Sequence, residues 1–329
     1  MYLEQTVADM TEVPGVIAAF AQSIGWDVAG NSLARPGGGR RFTLESTAKD
    51  AANPALTVRA AGGAANDFVQ VRSPRIGTGM TTYVSPIISK VHLFGSAAPY
   101  GDGEPFIAVV LEFGFNSYRH VYIGNMVKLG DYQGGEVISG NNFVELFVIN
   151  TRGNNSFASN NNQYLFSAHH EKALNQGVGG VYVDHPDSST LFRRFSGTYY
   201  ASSSSLSLLG PGTVIGGWQD NVNTGLATRG VMTYAAGAIL TPVNLYTPSG
   251  AFGADYRYRA LGYVAGVRMV RMDAIEPGAE IEVGGRRWKV FPEFARDTRQ
   301  TTPRDTPANP FNNFLYETSY MAGLAYALD

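Results

Sequence analysis

After residue 78 the sequence has almost no helical periodicity. Short apolar or alternating segments recur instead, and turns rich in glycine, proline, asparagine and serine separate them. Segments of about four to eight residues with this punctuation are typical of β-strands. Many such strands in one chain predict a β-sandwich or a barrel-like fold with long loops.

The clearest hairpin is PFIAVVLEFGFNSYRHVYIG, residues 105–124. An apolar run is followed by a short GFNS connection and then by alternation, so strands are predicted over 106–113 and 119–123. The other strands predicted in this part of the chain are 87–94, 144–150, 163–168, 180–184, 214–218, 236–243, 257–265 and 279–291.

The first 78 residues predict a small α+β domain, and residues 79–329 a β-rich domain. In MTEVPGVIAAFAQSIGW, residues 10–26, apolar side chains recur at helical spacing. We expect Thr11 as the N-cap, Pro14 in the first turn and Gly25 at the end of this helix. Strands are predicted over 40–46, 55–60 and 67–72, and the segment SPRIGTGMTT, residues 73–82, as a linker or long turn.

The composition of the chain excludes several classes of function. Charged residues are 16% of the chain and the net charge is -2. No basic stripe is present, which argues against nucleic-acid binding through phosphate neutralisation. Because the chain has 0 cysteines, disulfides, thiolate metal sites and a cysteine nucleophile are excluded. The first ten residues do not resemble a secretory signal, and no apolar run is long enough to span a membrane, so we expect a soluble chain made in a cytoplasm.

The search for catalytic or metal chemistry gives no strong motif. His169, His170, Asp184 and His185 lie near one another in sequence, but the ligand spacing of a zinc site is missing. GxSxG is absent, and neither GTGMTT nor GPGTVIGG has the features of a phosphate-binding loop. No pair stands out among the candidate carboxylates, which are Glu112, Glu136, Glu145, Asp184 and Asp220. We therefore expect no catalytic residues, no metal and no cofactor.

Two arginine pairs follow glycine-rich turns, in GGGRRF and in VGGRRW. Gly284 and Gly285 suit the tip of a type I′ hairpin, which needs positive φ at both positions. Alternation then puts Arg286 and Trp288 on one face and Arg287 and Lys289 on the other. Two interpretations stay open: solvated strand ends, or arginines that bind carboxylates of an adjacent subunit. The interface candidates are Arg40, Arg41, Arg286, Arg287 and Trp288.

Two segments predict long loops: NTRGNNSFASNNNQY, residues 150–164, and SGTYYASSSSLSLLGPGT, residues 196–213. Long loops on a β framework often carry binding sites. Here they either hold a surface glycan or become ordered only against a neighbouring subunit. The loop candidates for binding are Asn154, Asn155, Asn160, Asn161, Tyr199 and Tyr200.

Three blocks of the sequence, residues 1–28, 104–142 and 261–296, carry a resemblance to a known group of proteins. The blocks begin MYLEQTVADM, EPFIAVVLEF and LGYVAGVRMV. In the order of strand, amphipathic helix, GW segment, YIG segment and late GG-tipped hairpin, the chain resembles tailed-bacteriophage virion structural proteins of the tail tip and baseplate.

The resemblance implies a non-enzymatic ring subunit of a phage tail that assembles in the bacterial cytoplasm. Its partners would be copies of itself and other tail or baseplate proteins. The alternatives are a host-recognition tail module that binds surface glycan, and another virion position such as a head decoration or connector protein.

Overall fold

The computed structural model describes residues 1–47, 54–61, 68–77, 83–84, 87–97, 104–114, 117–141, 145–147, 165, 180–183, 193–194, 240–249, 257–272, 275–292 and 322–328. Within these residues the chain is mostly β, as the sequence predicts.

The described residues form one helix, α1 (Val13–Ser23), and strands in three sheets. In chain order the strands are β1 (Tyr2–Thr6), β2 (Asp27–Ala29), β3 (Ser32–Ala34), β4 (Arg41–Thr47), β5 (Ala55–Ala60), β6 (Phe68–Arg72), β7 (Arg75–Gly77), β8 (Tyr83–Val84), β9 (Ile88–Ser96), β10 (Phe106–Phe113), β11 (Ser117–Lys128), β12 (Glu136–Gly140), β13 (Glu145–Phe147), β14 (Gly180–Val183), β15 (Arg193–Arg194), β16 (Thr241–Ser249), β17 (Arg257–Arg271), β18 (Glu280–Val283), β19 (Arg286–Pro292) and β20 (Ala322–Ala327).

The largest sheet runs in the order β1-β9-β10-β11-β17-β20-β19-β18, with β12, β14, β15 and β16 paired to its members. It curls into a half-barrel. The predicted hairpin at its centre is confirmed, since β10 and β11 pair antiparallel from Phe106↔Gly124 to Phe113↔Ser117. Strands from all three blocks that carry the resemblance lie in this sheet, whereas α1 and β2 of the first block lie outside it.

Strand β17 changes its pairing partner along its length. Residues 262–264 pair with β11, whereas residues 267–271 pair with β20. Between them Gly266 has a φ of 66°, and a Cβ there would collide with the ring of Phe106. Glycine is thus needed both for the left-handed backbone and for the close approach of the ring.

The N-terminal elements pack on one face of this sheet. Strands β2 to β6 form a five-stranded antiparallel meander, and α1 buries its apolar residues beside it. Gly25 follows the helix with a φ of 90°, as predicted. The N-cap prediction is wrong: Glu12 directly precedes the helix, and the Thr11 hydroxyl donates to the Asp9 carboxylate instead.

Two of the three apolar clusters among the described residues lie on the two faces of β10 in the large sheet. Along β10, Ile107, Val109 and Leu111 enter the core shared with α1 and the meander. Phe106, Ala108 and Val110 enter the core inside the half-barrel. Burial on both faces explains why β10 reads as a continuous apolar run rather than as alternation. Because β1 pairs with β9, the N-terminal segment contributes a strand to the large sheet. The domain boundary at residue 78 stays a prediction.

Several other predictions made from the sequence can be compared directly with the strands of the structure. Strands β4, β5, β6, β9, β14, β17, β18 and β19 lie where strands are predicted, with shifted ends for some. The segment predicted as a linker or long turn, residues 73–82, contains β7, which pairs with β8 and β13. The prediction is therefore wrong for the residues of β7. Strand β20 is not predicted by the sequence pattern, although it pairs with both β17 and β19. The predicted strand 214–218 lies outside the described residues. No helix in the described part of the chain is both long and apolar enough to span a membrane.

Candidate functional site

The inner face of the half-barrel carries a row of aromatic and titratable side chains. Register places Glu4, His92, Val110 and His120 opposite one another on β1, β9, β10 and β11. Phe291 of β19 lies above this row, with its ring centroid 4.6 Å from that of His92. The strands that close the half-barrel therefore meet β9 and β11 through these residues.

His92 is buried between two polar partners. Its Nε2–H group donates to Glu112 Oε2 at 2.9 Å, and its Nδ1 lies 3.0 Å from the Tyr2 hydroxyl. The same hydroxyl lies 3.0 Å from Glu4 Oε2. A continuous chain of contacts, Glu112–His92–Tyr2–Glu4, thus joins β10, β9 and β1. We call these four residues the edge chain.

The charges around the edge chain fix the state of two of its members. Burial and the nearby carboxylates of Glu4, Glu280 and Glu112 raise the pKa of Tyr2 well above its ordinary value. The Tyr2 hydroxyl therefore stays protonated at neutral pH and acts as a hydrogen-bond donor. Lys90 donates to Glu4 at 2.8 Å, and this bond lowers the pKa of Glu4 and raises the pKa of Lys90.

His120 is fully buried and joins three strands. Its Nε2–H group donates to the Pro292 carbonyl oxygen at 2.8 Å, and its Nδ1 lies 2.6 Å from the Tyr326 hydroxyl. Because a carbonyl oxygen can only accept, Nε2 carries the proton of the bond to Pro292. In the sequence His120 stands between Tyr118 and Tyr122 at strand spacing, which indicates a shared face but gives no indication of its partners.

Arg119 lies on the opposite face of β11 and is also fully buried. Its guanidinium donates to the carbonyl oxygens of Arg72 at 3.2 Å and Tyr118 at 2.8 Å. Burial lowers the pKa of Arg119 to about 9, so the group remains charged at neutral pH. The contacts link the end of β6 to the large sheet.

The first glycine-arginine turn surrounds a buried carboxylate. Glu136 Oε1 accepts from the Arg40 backbone N–H at 2.9 Å and from Arg35 Nε at 3.2 Å, and Oε2 lies 3.9 Å from Arg40 Nε. Gly39 has a φ of 146°, and a Cβ there would collide with the same carboxylate. The β3–β4 pair ends at Ala34↔Arg41, so this turn is a longer loop than the two-residue tip predicted for Gly284 and Gly285.

The second glycine-arginine turn is the predicted two-residue hairpin tip. Gly284 and Gly285 have φ values of 62° and 73°, and Val283 pairs with Arg286. This geometry is that of a type I′ turn in which both φ values are positive.

The interface candidates have contacts within their own chain. Arg41 contacts the Asp27 carboxylate, and Arg287 Nη1 lies 3.9 Å from Glu280 Oε2. Trp288 is buried beneath Arg268, with 5.4 Å between the guanidinium carbon and the ring centroid. A role for these residues, or for Arg40 and Arg286, in contacts between subunits stays a prediction.

The remaining site predictions lie outside the described residues. These are the loop candidates Asn154, Asn155, Asn160, Asn161, Tyr199 and Tyr200, together with His169, His170, Asp184 and His185. Among the residues that the structure describes, no group of three or more potential ligands is arranged to hold a metal ion.

Comparison with protein-family models and with curated proteins gives no match to this chain.

The described titratable groups bond mainly to groups on other strands: His92 to β1 and β10, His120 to β19 and β20, and Glu136 to the β3–β4 loop. Such bonds cross-link the framework and fix its register.

Proposed function

We propose that this protein is a non-enzymatic structural subunit of a bacteriophage particle, most specifically a ring component of the tail tip or baseplate. The proposal starts from the resemblance of three sequence blocks to virion structural proteins of that class. It is supported by one observation: elements from all three blocks, including β1, β10 to β12 and β17 to β19, belong to one hydrogen-bonded sheet. The resemblance therefore covers a connected framework rather than scattered segments.

The arrangement of buried polar groups supports a structural role. A framework whose histidines, tyrosines and buried carboxylate bond across strands gains rigidity and a unique register. Charged residues make up only 16% of the chain, and this low share also suits a subunit that buries much of its surface against neighbours. Contacts of the head-to-tail type that close by rotation would generate the ring.

Position in the particle tests the proposal. Antibodies against this chain, applied to purified particles of the phage that encodes it, should label the tail tip in electron micrographs. Quantitative mass spectrometry of the same particles should give several copies per particle. Particles that lack the chain would overturn the proposal, and label on the capsid would favour a head decoration or connector position instead.

The arginine candidates give a second test at the level of contacts. If Arg286 and Arg287 bind carboxylates of an adjacent subunit, the double change Arg286→Ala and Arg287→Ala should reduce particle yield. Lys128→Ala is the matched control, because Lys128 is an exposed cation outside the interface candidates and donates to the Tyr132 carbonyl oxygen of its own chain. An unchanged yield in the double variant would remove the subunit-docking role while leaving the position in the particle to the first test.

A further inference from the structure

Strand β1 lies at one end of the large sheet and has one open side. Among the described strands it pairs only with β9. The Gly95 N–H donates to the Met1 carbonyl oxygen, and the Val7 N–H donates to the Ser89 carbonyl oxygen. Because backbone groups alternate between the two sides of a strand, the odd-numbered residues of β1 bond to β9. The N–H and C=O groups of its even-numbered residues therefore point away from β9.

The open side consists of the backbone groups of Tyr2, Glu4 and Thr6. None of these backbone groups has a hydrogen-bond partner among the residues that the structure describes. Side chains leave the edge uncovered, since Leu3 is 38% exposed and residues 4–6 are exposed as well. An extended strand beside β1 would meet a row of donors and acceptors at strand spacing.

The sequence of β1 lacks the features that keep a sheet edge from pairing. YLEQT contains no proline, glycine or lysine, and its pairing with β9 has no bulge. Its one charged side chain, Glu4, accepts from Lys90 of β9 at 2.8 Å, so that charge is balanced. At the other end of the same sheet, β18 carries Glu280 and Glu282, both exposed, and such charges protect an edge. The contrast indicates that β1 is the edge suited to pairing.

Antiparallel pairing with a second copy satisfies these groups when a two-fold axis passes beside Leu3. Tyr2 then forms a hydrogen-bonded pair with Glu4 of the partner subunit, and Glu4 does so with Tyr2 of the partner subunit. Leu3 stands opposite Leu3 of the partner subunit in a non-hydrogen-bonded pair, where side chains approach most closely. Pairing centred on Glu4 would instead place two carboxylates opposite each other, which is destabilising. The register centred on Leu3 buries an exposed apolar side chain and separates the acids.

We propose that the open edge of β1 pairs antiparallel with β1 of a second copy about a two-fold axis at Leu3, so that the large sheet continues across two subunits. The contact is isologous and is separate from the head-to-tail contacts proposed for the ring. It does not depend on the position of the chain in a particle. Because one short strand pair is a small interface, the free chain forms a weak dimer, which becomes stronger where subunits are held close together.

Disulfide trapping on the full chain tests the pairing. The chain has 0 cysteines, so a single introduced cysteine reports one contact. Leu3→Cys in a glutathione redox buffer should give a disulfide-linked dimer, because opposed residues of a non-hydrogen-bonded pair lie within reach of a disulfide. Gln5→Cys is the matched control: it is exposed and on the same face of β1, but in this register the two copies are offset by about 13 Å along the strand.

The cross-linking rates decide the outcome. Gln5→Cys should cross-link at least about tenfold more slowly than Leu3→Cys, as expected for collision without pairing. No dimer with Leu3→Cys would overturn the proposal. Equal rates, or a faster rate for Gln5→Cys, would overturn it as well, because the two-fold axis would then not lie at Leu3.

Proline variants in the Leu3→Cys background test whether the backbone edge makes the contact. Glu4→Pro removes an outward N–H and leaves the bonds to β9, so the cross-linking rate should fall about tenfold. Thr6→Pro removes an N–H of the same kind beyond the paired residues and should keep the rate. Glu4→Gln should also keep it, which separates loss of the N–H from loss of the carboxylate. An unchanged rate in Glu4→Pro would show that the dimer does not use this edge.

Discussion

The imidazole of His120 donates a hydrogen bond from Nε2 to the carbonyl oxygen of Pro292 over 2.8 Å. This bond joins the centre of β11 to the end of β19 inside the half-barrel. Because both groups are buried, water does not replace either partner when the other is lost.

Replacing His120 should therefore destabilise the fold strongly. His120→Leu leaves the Pro292 carbonyl and the Tyr326 hydroxyl without the imidazole, and we expect a loss of about 2–4 kcal/mol in the free energy of unfolding. Tyr326→Phe removes only one of the two bonds and should cost about half as much. Urea denaturation measures both values. Equal losses in the two variants would contradict the assignment of two separate bonds to His120.

Gly266 of β17 gives a prediction about backbone geometry. Gly266→Ala combines a left-handed backbone with a collision against Phe106, so we expect a loss of about 2–4 kcal/mol. Gly15→Ala is the matched control, because nothing lies within 4 Å of a Cβ at that helical position. Alanine there should stabilise the chain by roughly 0.5–1 kcal/mol. Thermal unfolding distinguishes the two signs, and a neutral result at Gly266 would argue against the left-handed backbone and the close contact with Phe106.

The ion pairs that the N-terminal arginines form with Glu136 and with Asp27 should differ in strength. Glu136→Gln weakens a buried carboxylate site that faces Arg35 and Arg40, and we expect a loss of about 2–4 kcal/mol. Asp27→Asn weakens an exposed pair with Arg41 and should change stability by less than about 1 kcal/mol. Chemical denaturation in low and high salt checks both. A salt-sensitive loss at Glu136 equal to that at Asp27 would show that Glu136 is solvated.

The Glu4–Lys90 pair predicts a small dependence of stability on pH. The folded pKa of Glu4 is lowered from 4.5, so its contribution is present above that value and is lost as pH falls through the lower folded pKa. The folded pKa of Lys90 is raised from 10.5, so its contribution is present below 10.5 and is lost as pH rises through the higher value. Both side chains are more than a third exposed, so the total should stay under about 1 kcal/mol and shrink in salt. The Glu4→Gln variant, followed by NMR titration of Lys90, should lose the shift; an unchanged Lys90 titration would show that the pair does not form in solution.

The indole of Trp288 should contribute through packing rather than through hydrogen bonding. Its Nε1 is buried and has no hydrogen-bond partner among the residues that the structure describes. We expect Trp288→Phe to cost well under the roughly 3–5 kcal/mol expected for Trp288→Ala, since phenylalanine keeps most of the apolar contact. Unfolding by denaturant compares the two variants. Similar large losses would indicate that the N–H group does have a partner.

Local pattern was sufficient for several features. Helical spacing predicts α1, the continuous apolar run predicts β10, and Gly284-Gly285 predicts the hairpin tip, because each depends on residues adjacent in the chain. Strand β20 was not predicted: AGLAYA, residues 322–327, is short, small-residued and without a nearby hairpin partner. Its strand character comes from pairing with β17 and β19, which lie earlier in the chain.

The sequence by itself determined the mostly β class, the N-terminal helix and the glycine-dependent turn at residues 284–285. The tertiary structure alone decided what the polar residues do. Arg40 is 96 residues from Glu136, and His120 is 172 residues from Pro292. Such partners meet only after the sheets have formed and packed together. Their burial then lets polar residues of common surface types connect separate parts of the fold. No local spacing encodes that encounter, because it depends on register and curvature along the whole sheet.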